Sequence, residues 1–96
     1  MRTLLQIVIP VEPGNKAIKD QALGKLLEKT FSAIKPEGAY FLSMHGRRCC
    51  LAFFDLKSPA DIPPIAEPLF MELNAEVEFI PVMNSEELHQ GLSRLT

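Results

Sequence analysis

Apolar residues recur along this chain in two rhythms, and each change of rhythm marks a new element. Residues 3–9 (Thr-Leu-Leu-Gln-Ile-Val-Ile) are β-branched or apolar on both parities, the pattern of a strand covered on both faces. Pro10, Pro13 and Gly14 end it. The spacing then becomes three and four. Leu23, Leu26, Leu27, Phe31 and Ile34 share one side, with Lys25, Glu28, Lys29 and Lys35 opposite. This predicts a helix capped by Asn15 or, preferably, Asp20, and stopped by Pro36 and Gly38.

Residues 39–44 and 47–54 are strand-like runs separated only by His45-Gly46, which predicts a tight hairpin. In that register Met44 faces Arg47, Leu42 faces Cys49 and Tyr40 faces Leu51. Ser58-Pro59-Ala60-Asp61 reads as a helix start. Pro63, Pro64 and Pro68 follow closely, so a first turn at 59–62, a break, and a helix over about 65–73 are expected. Residues 76–82 alternate cleanly, and Pro81 assigns them to a sheet edge or strand end. Asn84-Ser85-Glu86-Glu87 is a capping box opening a last helix that carries Leu88, Leu92 and Leu95 on one side.

The order β-α-β-β-α-β plus a short C-terminal helix predicts an α+β, ferredoxin-like domain spanning residues 1–96. Its antiparallel sheet takes the order 4-1-3-2, with the helices on one face. Leu5, Ile7 and Ile9 are expected to meet the helices, with Val77 and Phe79 beside them. In the hairpin the bulkier parity (Tyr40, Leu42, Met44, Cys49, Leu51, Phe53) is assigned to the helices. Phe41, Ser43, Arg48, Cys50, Ala52 and Phe54 are then left on the open face with Leu4, Gln6 and Val8. That face is half apolar, so two sheets are expected to pack together as a homodimeric α/β barrel.

Composition supports this and removes several function classes. The 96 residues are 47 % hydrophobic, slightly more than one small core needs. Ten basic and twelve acidic residues are thoroughly mixed, so no basic stripe suits nucleic acid. No apolar run approaches the roughly 20 residues of a membrane span, and the N-terminal run breaks at Gln6 and Pro10, too early for a signal peptide. Adjacent Cys49 and Cys50 point to opposite strand faces, which disfavours a bond between them and fits a reducing cytoplasm.

The layout, the proline-bearing second helix and the closing Glu76-Val77-Glu78-Phe79-Ile80-Pro81-Val82 before Asn84-Ser85-Glu86-Glu87 carry a resemblance. The chain resembles the dimeric α/β-barrel, ferredoxin-like superfamily, particularly its small uncharacterised bacterial members. The resemblance covers nearly the whole chain in layout and the last forty residues in local pattern. It implies a self-associating domain, within a superfamily that includes cofactor-independent monooxygenases, haem-degrading enzymes, isomerases and ligand-sensing domains. The tryptophan used by the small quinone-forming monooxygenases is missing here, and neither the haem-degrading Asn/His/Trp set nor a His-Asp dyad is matched.

The candidate ligand-binding residues are Tyr40, His45, Arg47 and Arg48, and no catalytic residue is assigned. His45 at the hairpin turn could bind an anion, although a solvated turn residue is the preferred reading. Arg47 and Arg48 point to opposite faces. One could hold a carboxylate in a sheet–helix cleft and the other bridge to Glu76 or Glu78 of a second subunit. Tyr40 could orient a ligand oxygen, although a core role is preferred. The cysteines lack metal or redox spacing and read as core, His89 reads as solvated, and Met44, Phe70 and Met71 read as filler. No phosphate loop, nucleophile elbow or metalloprotease motif occurs, and no cofactor or metal is expected. The leading expectation is a homodimer that binds a small apolar or anionic ligand between sheet and helices. The alternative is a cofactor-independent monooxygenase or isomerase acting on a small aromatic or keto compound through His45, Tyr40 and one arginine.

Overall fold

The structure, a computed structural model, describes residues 1–95. Its elements are β1 (Arg2–Ile9), α1 (Val11–Lys19), α2 (Leu23–Ile34), β2 (Gly38–Met44), β3 (Arg47–Asp55), a 3-10 turn (Pro59–Asp61), α3 (Ile62–Leu73), β4 (Glu76–Pro81) and α4 (Ser85–Ser93). The four strands form one antiparallel sheet in the order β2-β3-β1-β4, the expected 4-1-3-2 order read from the other edge. This α+β arrangement is compatible with a ferredoxin-like plan.

Strand β1 is central, and its side chains alternate strictly. Thr3, Leu5, Ile7 and Ile9 are buried, while Leu4, Gln6 and Val8 are half-buried on the other side. The buried set joins Ala17 of α1, Ile34 of α2, and Leu69 and Leu73 of α3 in one hydrophobic cluster, so α1–α3 cover a single sheet face. Val77 and Phe79 of β4 pack against this cluster as expected, leaving Glu76, Glu78 and Ile80 outward. Pro81 ends β4 at the sheet edge, where its missing N–H costs no ladder bond.

The hairpin has the expected register, with Met44 opposite Arg47 and Tyr40 opposite Leu51. His45 and Gly46 both take positive φ (53° and 75°), the two-residue turn geometry whose twist matches the flanking strands. The assignment of the hairpin's two faces is corrected. In the ladder with β1, Leu5 lies opposite Ala52, Ile7 opposite Cys50 and Ile9 opposite Arg48. Residues directly opposite share a face, so Phe41, Ser43, Arg48, Cys50, Ala52 and Phe54 face the helices. Tyr40, Leu42, Met44, Cys49, Leu51 and Phe53 face away. The smaller parity lies under the helices because the helix side chains already fill that layer. Ala52 is completely buried there.

Two helix boundaries are also corrected. Residues 11–19 are already helical, with Pro13 and Gly14 in the first turn. A proline there loses only an N–H that has no intrahelical partner. Asp20 therefore closes α1 rather than opening α2. Gln21 takes a left-handed conformation (φ 58°), and the Ala22 N–H donates back to the Ala17 carbonyl at 2.8 Å, a Schellman-type end. In the second case α3 runs unbroken from Ile62. Pro63 and Pro64 lie in its first turn, so Pro68 removes one interior hydrogen bond rather than a segment. The hydroxyl of Ser58 does accept from the Ala60 N–H at 3.1 Å, as a cap should.

Helix α4 opens with the expected capping box. The Glu87 N–H donates to Asn84 Oδ1 at 2.8 Å, and the Asn84 N–H donates to Glu87 Oε1 at 2.9 Å. Arg2 of β1 adds an ion pair to Glu87 at 2.7 Å. The Asn84 N–H, followed by Arg2, holds the Glu87 carboxyl below its usual range. None of the helix is buried, and Leu88 and Leu92 are about half exposed. Asn84→Ala is therefore expected to cost about 1 kcal/mol of local helix stability while leaving the cooperative unfolding midpoint almost unchanged. Amide exchange within α4, compared with exchange within β1, checks this.

Candidate functional site

The four candidate residues do not converge: His45, Arg47 and Arg48 lie at the hairpin end of the sheet, and Tyr40 lies opposite Leu51, toward its middle. Tyr40 is on the open face, 64 % exposed, with its ring against Gly38. The preferred core role for Tyr40 is thus overturned, because the hairpin parity that carries it faces away from the helices. His45 is exposed at the turn. Arg47 and Arg48 do point to opposite faces. Arg47 is on the open face and pairs with Glu76 of its own chain, across the end of β1, so the reach to Glu76 is made within one subunit.

Arg48 lies on the helix-facing side, between Ile9 of β1 and Ser43 of β2. Its guanidinium reaches the first turn of α1, where Nη2 donates to Asn15 Oδ1 at 3.0 Å and Nη1 approaches the Val11 carbonyl at 3.5 Å. Gly14 makes room for it: a Cβ at that position would sit 2.6 Å from Nη1. The Pro13-Gly14-Asn15 stretch, which reads in the sequence as a strand stop, thus cradles an arginine. No ion pair forms between Arg48 and a carboxylate among the described residues, whereas Arg2 has two and Arg47 one. Arg48 also lines a cavity of about 190 Å³ whose almost wholly apolar walls include Ile9, Leu23, Leu27 and Phe41. Phe41 packs edge-on against Phe31 of α2, with ring centroids 5.8 Å apart.

The larger open groove, about 730 Å³, runs over the outside of α1, α2 and α3. Lys16 and Asp20 pair with each other at 2.8 Å on its rim. Phe70 and Met71 are exposed on α3, and Met44 is half-buried on the open sheet face, so these three line no common pocket.

Both thiols are buried and free, in agreement with the core reading. Burial pushes both upward, and Cys50 reaches about 11 with Cys49 adding to the effect. The neutral thiol of Cys50 is favoured in the fold, so its contribution to stability is constant below the ordinary thiol range and falls as pH rises from about 9 to about 11. A raise of two units corresponds to about 2–3 kcal/mol lost over that window. Urea unfolding at successive pH values checks it, with Cys50→Ala expected to show a shallower alkaline slope.

Among the described residues no cluster of His, Cys, Asp or Glu is placed to hold a metal ion, and no helix is long and apolar enough to cross a membrane. No protein-family model matches this chain, and no curated protein matches it in sequence.

Proposed function

We propose that the chain works as a homodimer in which two ferredoxin-like domains pack their open sheet faces together, in the manner of the dimeric α/β-barrel superfamily. Each domain holds a small apolar or anionic molecule between its sheet and helices. The observation that carries the dimer is surface area. The chain exposes 6640 Å², against roughly 5500 Å² for a folded monomer of its mass. The excess is about 1100 Å², and a standard interface covers about 800 Å² per partner.

The distribution of that surface supports the same partner. Leu4, Val8, Leu51 and Phe53 surround Gln6 on the two inner strands of the open face, Leu42 adds an apolar side chain on edge strand β2, and Arg47, Glu76 and Glu78 lie toward the margins, a mostly apolar centre with a polar rim. Helix α4 adds the half-exposed side chains of Leu88 and Leu92. The radius of gyration is 15.2 Å, against about 12.5 Å expected for a compact domain of this length, which fits an element reaching toward a second copy. Sedimentation equilibrium through the micromolar range tests the proposal. A dimer is expected, and a stable monomer throughout overturns it.

The ligand half of the proposal rests on Arg48, a half-buried residue with no carboxylate partner among the described residues, beside an apolar cavity. The enzymatic alternative requires Tyr40, His45 and an arginine around one substrate. Tyr40 and Arg48 lie on opposite faces, and Arg47, which shares the face of Tyr40, is already paired with Glu76, so no observation favours it.

A further inference from the structure

Building on the ligand half of that proposal, we infer that the slot between α2 and the β2–β3 hairpin is a binding site for a small aryl or branched monocarboxylate, anchored by Arg48. Three observations converge on this chemistry. First, Phe41 is on the helix-facing side of the sheet yet remains 62 % exposed. The layer that elsewhere buries Ala52 and Phe54 is left unfilled at this edge. An apolar ring left open beside Leu23 and Leu27 calls for an apolar occupant.

Second, the slot is of a size for a small ring. Its inner cavity is about 190 Å³, and a cavity of about 150 Å³ suffices for benzene. It adjoins a shallower depression of about 480 Å³ toward the hairpin, and Phe41, Leu42 and Arg48 border both. A substituent one or two atoms longer than a bare ring therefore has room.

Third, the polar end is a positioned cation. Asn15 and the Val11 carbonyl orient the guanidinium, and the missing side chain at Gly14 lets it seat against α1. The remaining N–H donors form a planar fork that matches a carboxylate in two parallel hydrogen bonds.

Titration of the purified full chain with benzoate, phenylacetate and neutral benzamide, followed by amide NMR, tests the inference. A carboxylate is expected to bind with millimolar or better affinity and to shift Ile9, Leu23, Leu27 and Phe41. Benzamide is expected to bind about tenfold or more weakly, and Arg48→Met to weaken carboxylate binding similarly. Leu27→Trp, which fills the slot without touching the guanidinium, is expected to abolish binding. Should Arg48→Met fail to fold, the benzamide comparison and Leu27→Trp carry the test alone. Equal binding of benzoate and benzamide, shifts confined to another surface, or no carboxylate binding overturns the inference. Sedimentation of the same samples separates it from the dimer: a dimer that ignores carboxylates defeats only the site, and a monomer that binds them defeats only the dimer.

Discussion

Leu51→Glu should turn the dimer into a well-folded monomer. Leu51 lies on β3 between Tyr40 and Gln6, in the middle of the open face and away from the helix-side cluster. In an isolated chain Leu51 is half-buried and a glutamate there can extend to water at the open face, so unfolding by urea should change by only about 1 kcal/mol. In a face-to-face dimer the substitution occurs twice around the two-fold axis and buries two like charges with no partner. An unpaired buried ion costs several kcal/mol even after relaxation. The dissociation constant should therefore rise about a thousandfold or more. Sedimentation equilibrium reads this directly, and an unchanged dissociation constant would exclude the open face as the interface. The same charge at Phe54, only 3 % exposed and edge-on to Phe79 beneath the helices, should instead unfold the chain.

Leu5→Ala should cost about 3–4 kcal/mol, the largest loss expected from shortening one aliphatic side chain here. Leu5 is fully buried on the central strand, between Ala52 and Phe79. Ala52 is too small to collapse into the vacated space, so a cavity remains and adds its cost to the lost transfer energy. A domain of this size has only about 5–15 kcal/mol to lose, and the melting temperature should fall by about 15–25 °C. Leu4→Ala is the matched control, one residue away on the opposite face. Measured in the Leu51→Glu monomer, Leu4→Ala should cost clearly less than Leu5→Ala. Equal costs would mean that β1 has no distinct buried and open sides.

How legible these features were depended on whether the deciding contact was local. The hairpin register followed from His45-Gly46, because two adjacent residues at positive φ leave the strands only one way to pair. The capping box of α4 was similarly readable, since Asn84 and Glu87 satisfy each other's backbone within one turn. The opposite orientations of Arg47 and Arg48 followed from the strand period. Which of the two faced the helices did not, and that choice decides the candidate site.

The error at the hairpin came from reading size as burial. Cys49-Leu51-Phe53 and Cys50-Ala52-Phe54 are both apolar, and the first set is bulkier. Ladder pairing with β1 places the second set with Leu5 and Ile7, where α2 and α3 already supply the volume. The role of Gly14 was hidden for a similar reason. Beside Pro13 it reads as a break, whereas in the fold its missing side chain admits a guanidinium from a residue 34 positions away.

The sequence by itself determined the order of the strands, the hairpin register, the capping box of α4 and the parity of β1 and β4. Each depends on residues within a few positions of one another, through turn geometry, capping bonds or a clear polar–apolar alternation. Tertiary structure alone decided the face taken by a strand that is apolar on both sides, the continuity of α3 through its prolines, and the meeting of Arg48 with α1. Those outcomes depend on how much volume neighbouring elements bring to a shared layer, a quantity no local pattern contains.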